Sequence, residues 1–191
     1  MSTDEKAFED AIEASLLSTG GYDKSSPASF DRALGLDPQE LFAFIDATQS
    51  KAWSELAARH GSDAGARTGF LKRLAAELDS RGTVDVLRHG VADLGVTLQL
   101  AYFRPAHGLT PELLARYHAN RLTVTRQLAY EPGSSKTLDL VLLLNGIPTA
   151  TAELKNPLTG QGVAQAMAQY RQDRDPANVT LSRRAVVHFA V

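Results

Sequence analysis

Three charged side chains lie in a strongly apolar stretch of the sequence, which reads TLDLVLLLNGIPTATAELKN over residues 137–156. Asp139 lies in the first apolar run, and Glu153 and Lys155 lie near the end of the second. Because they are two residues apart, Glu153 and Lys155 point to one face of a strand. A carboxylate in such surroundings is costly to bury unless it pairs with a cation or binds a metal ion. Spacing alone therefore leaves two hypotheses open, a metal-binding catalytic site and a cross-strand salt bridge that fixes the register.

The dipeptide Asn145-Gly146 separates the two apolar runs and predicts a β-hairpin. A two-residue loop would put Asp139 and Glu153 on opposite faces of this hairpin. A three-residue loop over residues 144–146, or a bulge, would put the two carboxylates on the same face. We predict an odd loop or a bulge, because only these bring all three charges together.

An Asp followed on the next strand by Glu-x-Lys resembles the active site of PD-(D/E)XK nucleases, although Leu138 stands where the motif has Pro. The resemblance implies an Mg²⁺ ion bound by Asp139, Glu153 and the backbone carbonyl of Leu154. Such oxygen ligands suit this hard cation. The resemblance also implies that Lys155 orients or activates the attacking water.

Several longer segments resemble the N-terminal region of the type I restriction endonuclease R subunit. They are FEDAIEASLLSTGGYD, RGTVDVLRHGVADLGV, LDLVLLLNGIPTATAELKNP, AQYRQDRDP and RRAVVHFAV. This resemblance implies an Mg²⁺-dependent endonuclease domain that hydrolyses phosphodiester bonds of double-stranded DNA. The implied partners are the methylation and specificity subunits of the complex. In that family an ATP-driven motor follows this region, so ATP is expected to serve the motor alone.

Further site residues are expected on the flanking helices. Glu5, Glu9 and Glu13 are four residues apart, and this spacing alone indicates a solvated helix face. In PD-(D/E)XK nucleases, however, an N-terminal helix often contributes a carboxylate to the metal site, which makes Glu9 or Glu5 a further candidate ligand here.

A second pair of candidate residues follows the hairpin. The resembled nucleases often carry a Gln and a Tyr four residues apart on that helix, where they are expected to bind DNA. Tyr170 fits this position, but Ala166 lies four residues before it and Gln165 five. Tyr170 and Gln165 are therefore candidate DNA-binding residues, and packing is an equally good interpretation of Tyr170.

The remaining pattern predicts an α/β fold of the PD-(D/E)XK restriction-endonuclease type, in which helices flank a mixed central sheet. We expect one domain over residues 1–191, with a helical insertion before the catalytic hairpin. The chain stops inside an apolar run, which predicts truncation before the motor. The first predicted part is a helix at 4–18. The second is an insert at about 37–94, whose helices are expected up to residue 60, at 66–79 and at 84–94. The third is a core at about 96–191, with strands at 96–103, 122–130 and 184–191 and helices at 110–120 and 161–173.

The composition of the sequence excludes several kinds of functional site and indicates where the protein is located. The sequence contains no cysteine, which excludes disulfides, thiolate metal sites and a cysteine nucleophile. No apolar run is long enough to span a bilayer and the N-terminus is too polar for a signal peptide, so a cytoplasmic protein without membrane contact is expected. Residues 1–103 carry 10 Lys and Arg against 16 Asp and Glu, whereas residues 104–191 carry 10 against 6. The half with the hairpin is thus better suited to phosphates.

Two other functions compete with a type I nuclease domain. The first is a non-catalytic docking module for the methyltransferase complex, which the helical insert could provide. The second is a stand-alone PD-(D/E)XK DNA nuclease, against which the apparent truncation argues.

Overall fold

A five-stranded mixed sheet forms the centre of the protein. The structure, a computed structural model, describes residues 3–106, 110–155 and 162–191, with side chains described from residue 6 onward. The strands are β1 (Asp23–Lys24), β2 (Val91–Asp93), β3 (Val96–Leu98), β4 (Leu122–Ala129), β5 (Thr137–Leu144), β6 (Ile147–Glu153) and β7 (Val187–Ala190). The helices are α1 (Thr3–Ser18), α2 (Pro38–Arg59), α3 (Asp63–Arg81), α4 (Thr83–His89), α5 (Pro111–His118) and α6 (Val163–Ala168).

The strand order of the central sheet is β1-β4-β5-β6-β7. Strands β4, β5 and β6 form an antiparallel meander, whereas β1 pairs parallel with β4 and β7 pairs parallel with β6. A parallel neighbour requires a crossover connection, and here the connection from β6 to β7 contains α6. The predicted mixed central sheet is therefore confirmed.

The turn between β5 and β6 contains two residues, Asn145 and Gly146, whose φ angles are 51° and 78°. Positive φ at both positions is typical of the hairpin turn that favours Asn-Gly. An added Cβ on Gly146 would lie 2.2 Å from the carbonyl oxygen of Asp37, so the close approach of the α2 N-terminus requires glycine. The three-residue loop that we predicted is wrong.

A bulge in β6 restores the register that the two-residue turn alone would lose. The residue numbers of paired positions add up to 291 beside the turn and to 292 from Leu142 and Ala150 onward. Thr149 is the extra residue, and its hydroxyl donates to the carbonyl oxygen of Leu142 at 3.1 Å. Continuing this register places Glu153 opposite Asp139, so the bulge alternative of our prediction is the correct one.

The two faces of the central sheet are covered differently. One face packs against the apolar stripe of α1, as the helical spacing predicts. The contacts there join Phe8, Ile12 and Leu16 to Val124, Leu140, Leu142 and Leu154. The other face is covered by the chain that follows α6, and its cluster contains Phe30, Leu128, Tyr130, Leu138, Val141, Leu143 and Leu181 with the partly buried Tyr170.

The helical insert forms its own apolar cluster and meets the sheet near the hairpin turn, through Ile147 and the partly buried Leu144. Its first helix, α2, begins as predicted, with Asp37 capping two backbone N–H groups and Pro38 in the first turn. Trp53 is buried inside this cluster and is a core residue. The insert therefore lies at the turn end of β5 and β6, and the opposite end of these strands carries the predicted site.

Two predicted elements, the last helix of the insert and the strand that follows it, are wrong. The helix expected at residues 84–94 ends at His89, because Gly90 has a φ of 70° and approaches the backbone of Leu98 so closely that a side chain would clash. Residues 91–93 then form β2. The strand expected at 96–103 is only β3, which pairs with β2 in a separate hairpin and is not part of the central sheet.

The last two elements are also shorter than expected. The helix predicted at 161–173 lies partly outside the described residues, and its α-helical part ends at Ala168. Gln169–Asp173 continue as a π-helical turn, and Thr180–Arg184 form a second one. The strand predicted at 184–191 therefore begins only at Val187.

Candidate active site

Asp139 and Glu153 lie next to each other at the end of the sheet opposite to the hairpin turn. They are close enough for the charge of Asp139 to raise the pKa of Glu153. Glu153 is fully buried, with 0% of its surface exposed, and Asp139 is half-buried. The structure thus brings together the two carboxylates that the sequence singled out.

Glu153 is held by two side chains from the segment after α6. The Nε2 atom of Gln169 donates to Oε2 of Glu153 at 2.6 Å. The guanidinium of Arg174 contacts Oε1 through Nε at 2.9 Å and through Nη2 at 2.6 Å. Arg174 is itself only 7% exposed, so this is a buried ion pair whose members depend on each other for charge compensation.

Gln169 and Arg174 reach the same carboxylate from the two ends of the π-helical turn. Gln169 is the first residue of the turn, and Arg174 follows its last residue, Asp173, in an extended conformation with φ −99° and ψ 134°. Our spacing argument assumed an α-helix up to residue 173 and missed both residues.

The environment of Glu153 raises its pKa to about 7. Burial is the main cause, since a carboxylate loses its hydration there, and the neighbouring Asp139 adds like-charge repulsion. Arg174 acts in the opposite direction and keeps the pKa from rising further. Glu153 is therefore a carboxyl group that titrates near neutrality in the metal-free protein.

This raised pKa makes the stability of the metal-free chain depend on pH. A carboxyl group with a raised folded-state pKa binds its proton more tightly in the folded state, so stability is lost as the pH rises from about 4.5 to about 7. We expect a loss on the order of 3 kcal/mol from this group. Urea unfolding at pH 5 and pH 8 in EDTA should show the loss in the wild type and a much smaller one in Glu153→Gln. Equal losses in both proteins would contradict the assignment.

Asp139 accepts one hydrogen bond on each carboxylate oxygen. The backbone N–H of Leu154 donates to Oδ2 at 2.8 Å, and Nε2 of Gln127 donates to Oδ1 at 3.1 Å. These two donors fix the plane of the carboxylate. A carboxylate offers about four acceptor positions, so each oxygen retains capacity for a cation.

The backbone after β6 continues the ladder with the last residue of the chain. Val191 donates to the carbonyl oxygen of Glu153 at 3.0 Å, and Lys155 donates to the carbonyl oxygen of Val191 at 2.8 Å. Strand alternation therefore extends to Lys155, and its Cβ lies on the same face as that of Glu153. The same alternation turns the N–H and the carbonyl of Leu154 away from β7 and towards Asp139.

Glu9 lies at the same end of the sheet, on α1. It is 1% exposed, and its carboxylate accepts from Nη2 of Arg126 at 2.9 Å and from Nε2 of Gln127 at 2.9 Å. Burial raises the pKa of Glu9, and Arg126 opposes that effect. Glu13 is buried as well and also contacts Arg126, so the interpretation as a solvated helix face is wrong for Glu9 and Glu13. The side chain of Glu5, the other candidate ligand, lies outside the described residues.

The predicted DNA-binding residues have different surroundings. Tyr170 is half-buried, its hydroxyl is 2.7 Å from Oγ1 of Thr151, and its ring contacts that of His188. These contacts favour a packing role. Gln165 is exposed, and its side chain accepts from the backbone N–H of Gly162 at the start of α6. The glutamine that contacts the carboxylate pair is instead Gln169.

His188 lies on β7, paired with Thr151 of β6. Both ring nitrogens have hydrogen-bond partners, Thr151 at 2.7 Å and the carbonyl oxygen of Leu181 at 3.1 Å. The residue is exposed, however, so it is a satisfied histidine outside the core.

The donor set at this end of the sheet fits a hard divalent cation. Two adjacent carboxylates and a backbone carbonyl directed towards them supply oxygen ligands of the kind that Mg²⁺ prefers. Within residues 3–106, 110–155 and 162–191, no group of three or more histidine, aspartate or glutamate side chains is arranged to hold a metal ion. A bound ion would therefore rely on this pair, the carbonyl group and water, which agrees with the few protein ligands that Mg²⁺ commonly has.

The fold and these contacts define an α/β domain with a buried and a half-buried carboxylate and a lysine at one end of its sheet. Residues 112–190 match the family model of the type I restriction enzyme R protein N terminus. The matched residues include β4 to β7 and both carboxylates, so this part of the chain is similar to that restriction enzyme family. No curated protein and no solved structure matches the chain. Among the described residues, no helix combines the length and the apolar character needed to cross a membrane.

Proposed function

We propose that this chain is the Mg²⁺-dependent nuclease domain of a type I restriction enzyme, with a PD-(D/E)XK site that hydrolyses phosphodiester bonds of double-stranded DNA. The observation that supports this proposal most directly is the pairing of Asp139 with Glu153 across β5 and β6. Lys155 follows on the same face, and the family match covers all three residues. The implied partners are DNA and the methylation and specificity subunits of the complex.

Each residue of the proposed site has a distinct task. Asp139 and Glu153 supply the negative charge and the oxygen atoms that hold the cation, and the carbonyl of Leu154 adds a neutral ligand. Lys155 places a positive charge beside them, which orients the attacking water and offsets charge on the phosphate. When bound, Mg²⁺ supplies charge neutralisation on the phosphate and a water of lowered pKa.

Arg174 and Gln169 contribute to the site through Glu153. Both hold its carboxylate in one orientation, and Arg174 favours the ionised form that a cation requires. The glutamate is thereby kept available as a ligand despite complete burial. This explains how a carboxyl group with a pKa of about 7 can serve a reaction at neutral pH.

Metal binding by the chain tests this proposal without any DNA. We expect calorimetry to detect one site for Mn²⁺, used as a probe for Mg²⁺, in the wild-type chain. Asp139→Asn removes the half-buried ligand charge and should weaken binding by at least about tenfold. Asp46→Asn is the matched control, since it removes an exposed carboxylate in the insert. Absence of Mn²⁺ binding at millimolar concentrations, or equal binding by Asp139→Asn and the control, would contradict the proposed metal site.

A further inference from the structure

Gln127 has a backbone conformation that is unusual for its position. It lies inside β4, yet its φ angle is 46°, in the left-handed region that residues other than glycine rarely adopt. The ladder between β4 and β5 pairs Arg126 with Leu140 and Leu128 with Leu138, and it leaves out the two residues between them. These two residues are Gln127 and Asp139. The strain therefore falls on the position directly opposite the proposed catalytic aspartate.

The side chain of Gln127 lies between two acidic groups. Its Nε2 atom is 2.9 Å from Oε1 of Glu9 and 3.1 Å from Oδ1 of Asp139. A carboxamide nitrogen has two hydrogens, so it can donate one to each carboxylate. The Oε1 atom of Gln127 accepts from the hydroxyl of Thr137 at 2.8 Å. This third contact requires the NH₂ end of the amide to face the acids.

We propose that Gln127 is a positioning residue that fixes the carboxylate of Asp139 and ties it to α1 through Glu9. This inference rests on the proposed nuclease function. A neutral amide suits the task, because it orients the aspartate without compensating the charge that must attract a cation. An arginine at this place would compensate that charge, as Arg126 does for Glu9. Together with the N–H of Leu154, the amide sets both oxygens of Asp139.

A purely structural role predicts a different outcome from a positioning role. Strain at a positive φ is relieved by glycine, which adopts this conformation without steric cost. If Gln127 only links α1 to the sheet, its replacements should lower cutting no further than they lower the folded fraction. If Gln127 positions Asp139, Gln127→Gly should keep a similar unfolding temperature and still lose catalysis. A small displacement of a reacting group can cost about 100-fold in rate.

The test uses the complete restriction complex with Mg²⁺ and ATP. We expect Gln127→Gly to lower kcat for DNA cutting by about 100-fold, with the Kd for DNA and the rate of ATP hydrolysis nearly unchanged. In the chain itself, Mn²⁺ affinity should fall several-fold while the unfolding temperature stays within a few degrees. Gln127→Met, which keeps the length of the side chain without its amide, should lose cutting to a similar extent.

Thr137 provides a conservative pair that separates orientation from packing. Thr137→Ser retains the hydroxyl and should cut DNA like the wild type. Thr137→Val has nearly the same shape but cannot donate to Gln127, so its kcat should fall several-fold. The backbone carbonyl of Thr137 that accepts from Arg174 is present in both variants. A difference between them would therefore report on the amide of Gln127.

The outcomes distinguish this inference from the proposed function. If the wild-type complex cuts DNA and Asp139→Asn cuts it equally well, the nuclease site itself is wrong. If Asp139→Asn is inactive while folded Gln127→Gly and Gln127→Met retain wild-type kcat, only the positioning role is overturned. If Gln127→Gly fails to fold, equal kcat values for Thr137→Val and Thr137→Ser overturn it.

Discussion

Replacing Asp139 with asparagine is expected to lower DNA cutting by the restriction complex by a factor of about 1,000 or more, while ATP hydrolysis continues at its normal rate. The asparagine has nearly the same shape, but it lacks the charge that the proposed cation site requires. Residues that act as a unit are not additive in their effects, so Lys155→Ala and the double variant should each lose about as much activity as Asp139→Asn. The measurements are plasmid cutting and ATP hydrolysis by the same preparation.

The fold should survive the change of Asp139. One of its two hydrogen bonds would face an amide hydrogen of the new side chain, which costs on the order of 1 kcal/mol. A shift of the unfolding temperature by only a few degrees is therefore expected. Asp46→Asn serves again as the control and should leave cutting unchanged. Asp139→Asn complexes that cut DNA at a rate comparable to the control would end the nuclease hypothesis for this site.

Glu153 needs a gentler substitution than Asp139. Alanine at this position would leave the buried guanidinium of Arg174 without its partner, so loss of cutting would be mixed with loss of folded protein. Glutamine keeps the shape and a hydrogen-bond acceptor for Arg174 and is the appropriate variant. The buried ion pair of Glu153 involves Arg174 from the segment after α6, so it differs from the cross-strand salt bridge that the spacing left open.

The sequence predicted the hairpin of β5 and β6 well, because Asn-Gly between apolar runs is a strong local signal. It did not predict the register directly. A two-residue turn alone would have separated Asp139 from Glu153, and the bulge at Thr149 corrects this. A proline inside a strand often marks a bulge or an edge, so Pro148 was the available signal for the irregularity.

The residues that surround the carboxylate pair were much harder to predict. Gln169 and Arg174 contact one carboxylate from the two ends of a π-helical turn, an arrangement that residue spacing does not indicate. Gln127 lies in the segment LTVTRQLAY, which has an ordinary strand pattern. Glutamine has no preference for a positive φ, so the residue type does not indicate this conformation. Both features depend on tertiary contacts with distant segments, α1 in one case and the end of β6 in the other.

Replacing Arg174 with methionine is expected to destabilise the chain by about 3–5 kcal/mol at pH 8 in the absence of divalent cations. Methionine fills part of the volume of the arginine stem, but it leaves the fully buried carboxylate of Glu153 without a compensating charge. At pH 5 the loss should be clearly smaller. Glu153 has a pKa of about 7 and is mostly protonated there even in the wild type, so little charge remains to be compensated.

Urea unfolding at both pH values measures this effect, and Arg171→Met is the matched control because Arg171 is exposed on the same segment. The double variant Arg174→Met/Glu153→Gln should recover much of the stability lost at pH 8, since it removes the uncompensated charge.

The effect of Mg²⁺ on the stability of Arg174→Met connects this ion pair to the proposed metal site. A cation bound at Glu153 replaces the missing positive charge, so Mg²⁺ should raise the unfolding temperature of Arg174→Met more than that of the wild type. A loss of stability that is independent of pH, or a variant that gains no more from Mg²⁺ than the wild type, would show that Arg174 stabilises the fold without acting on the charge of Glu153.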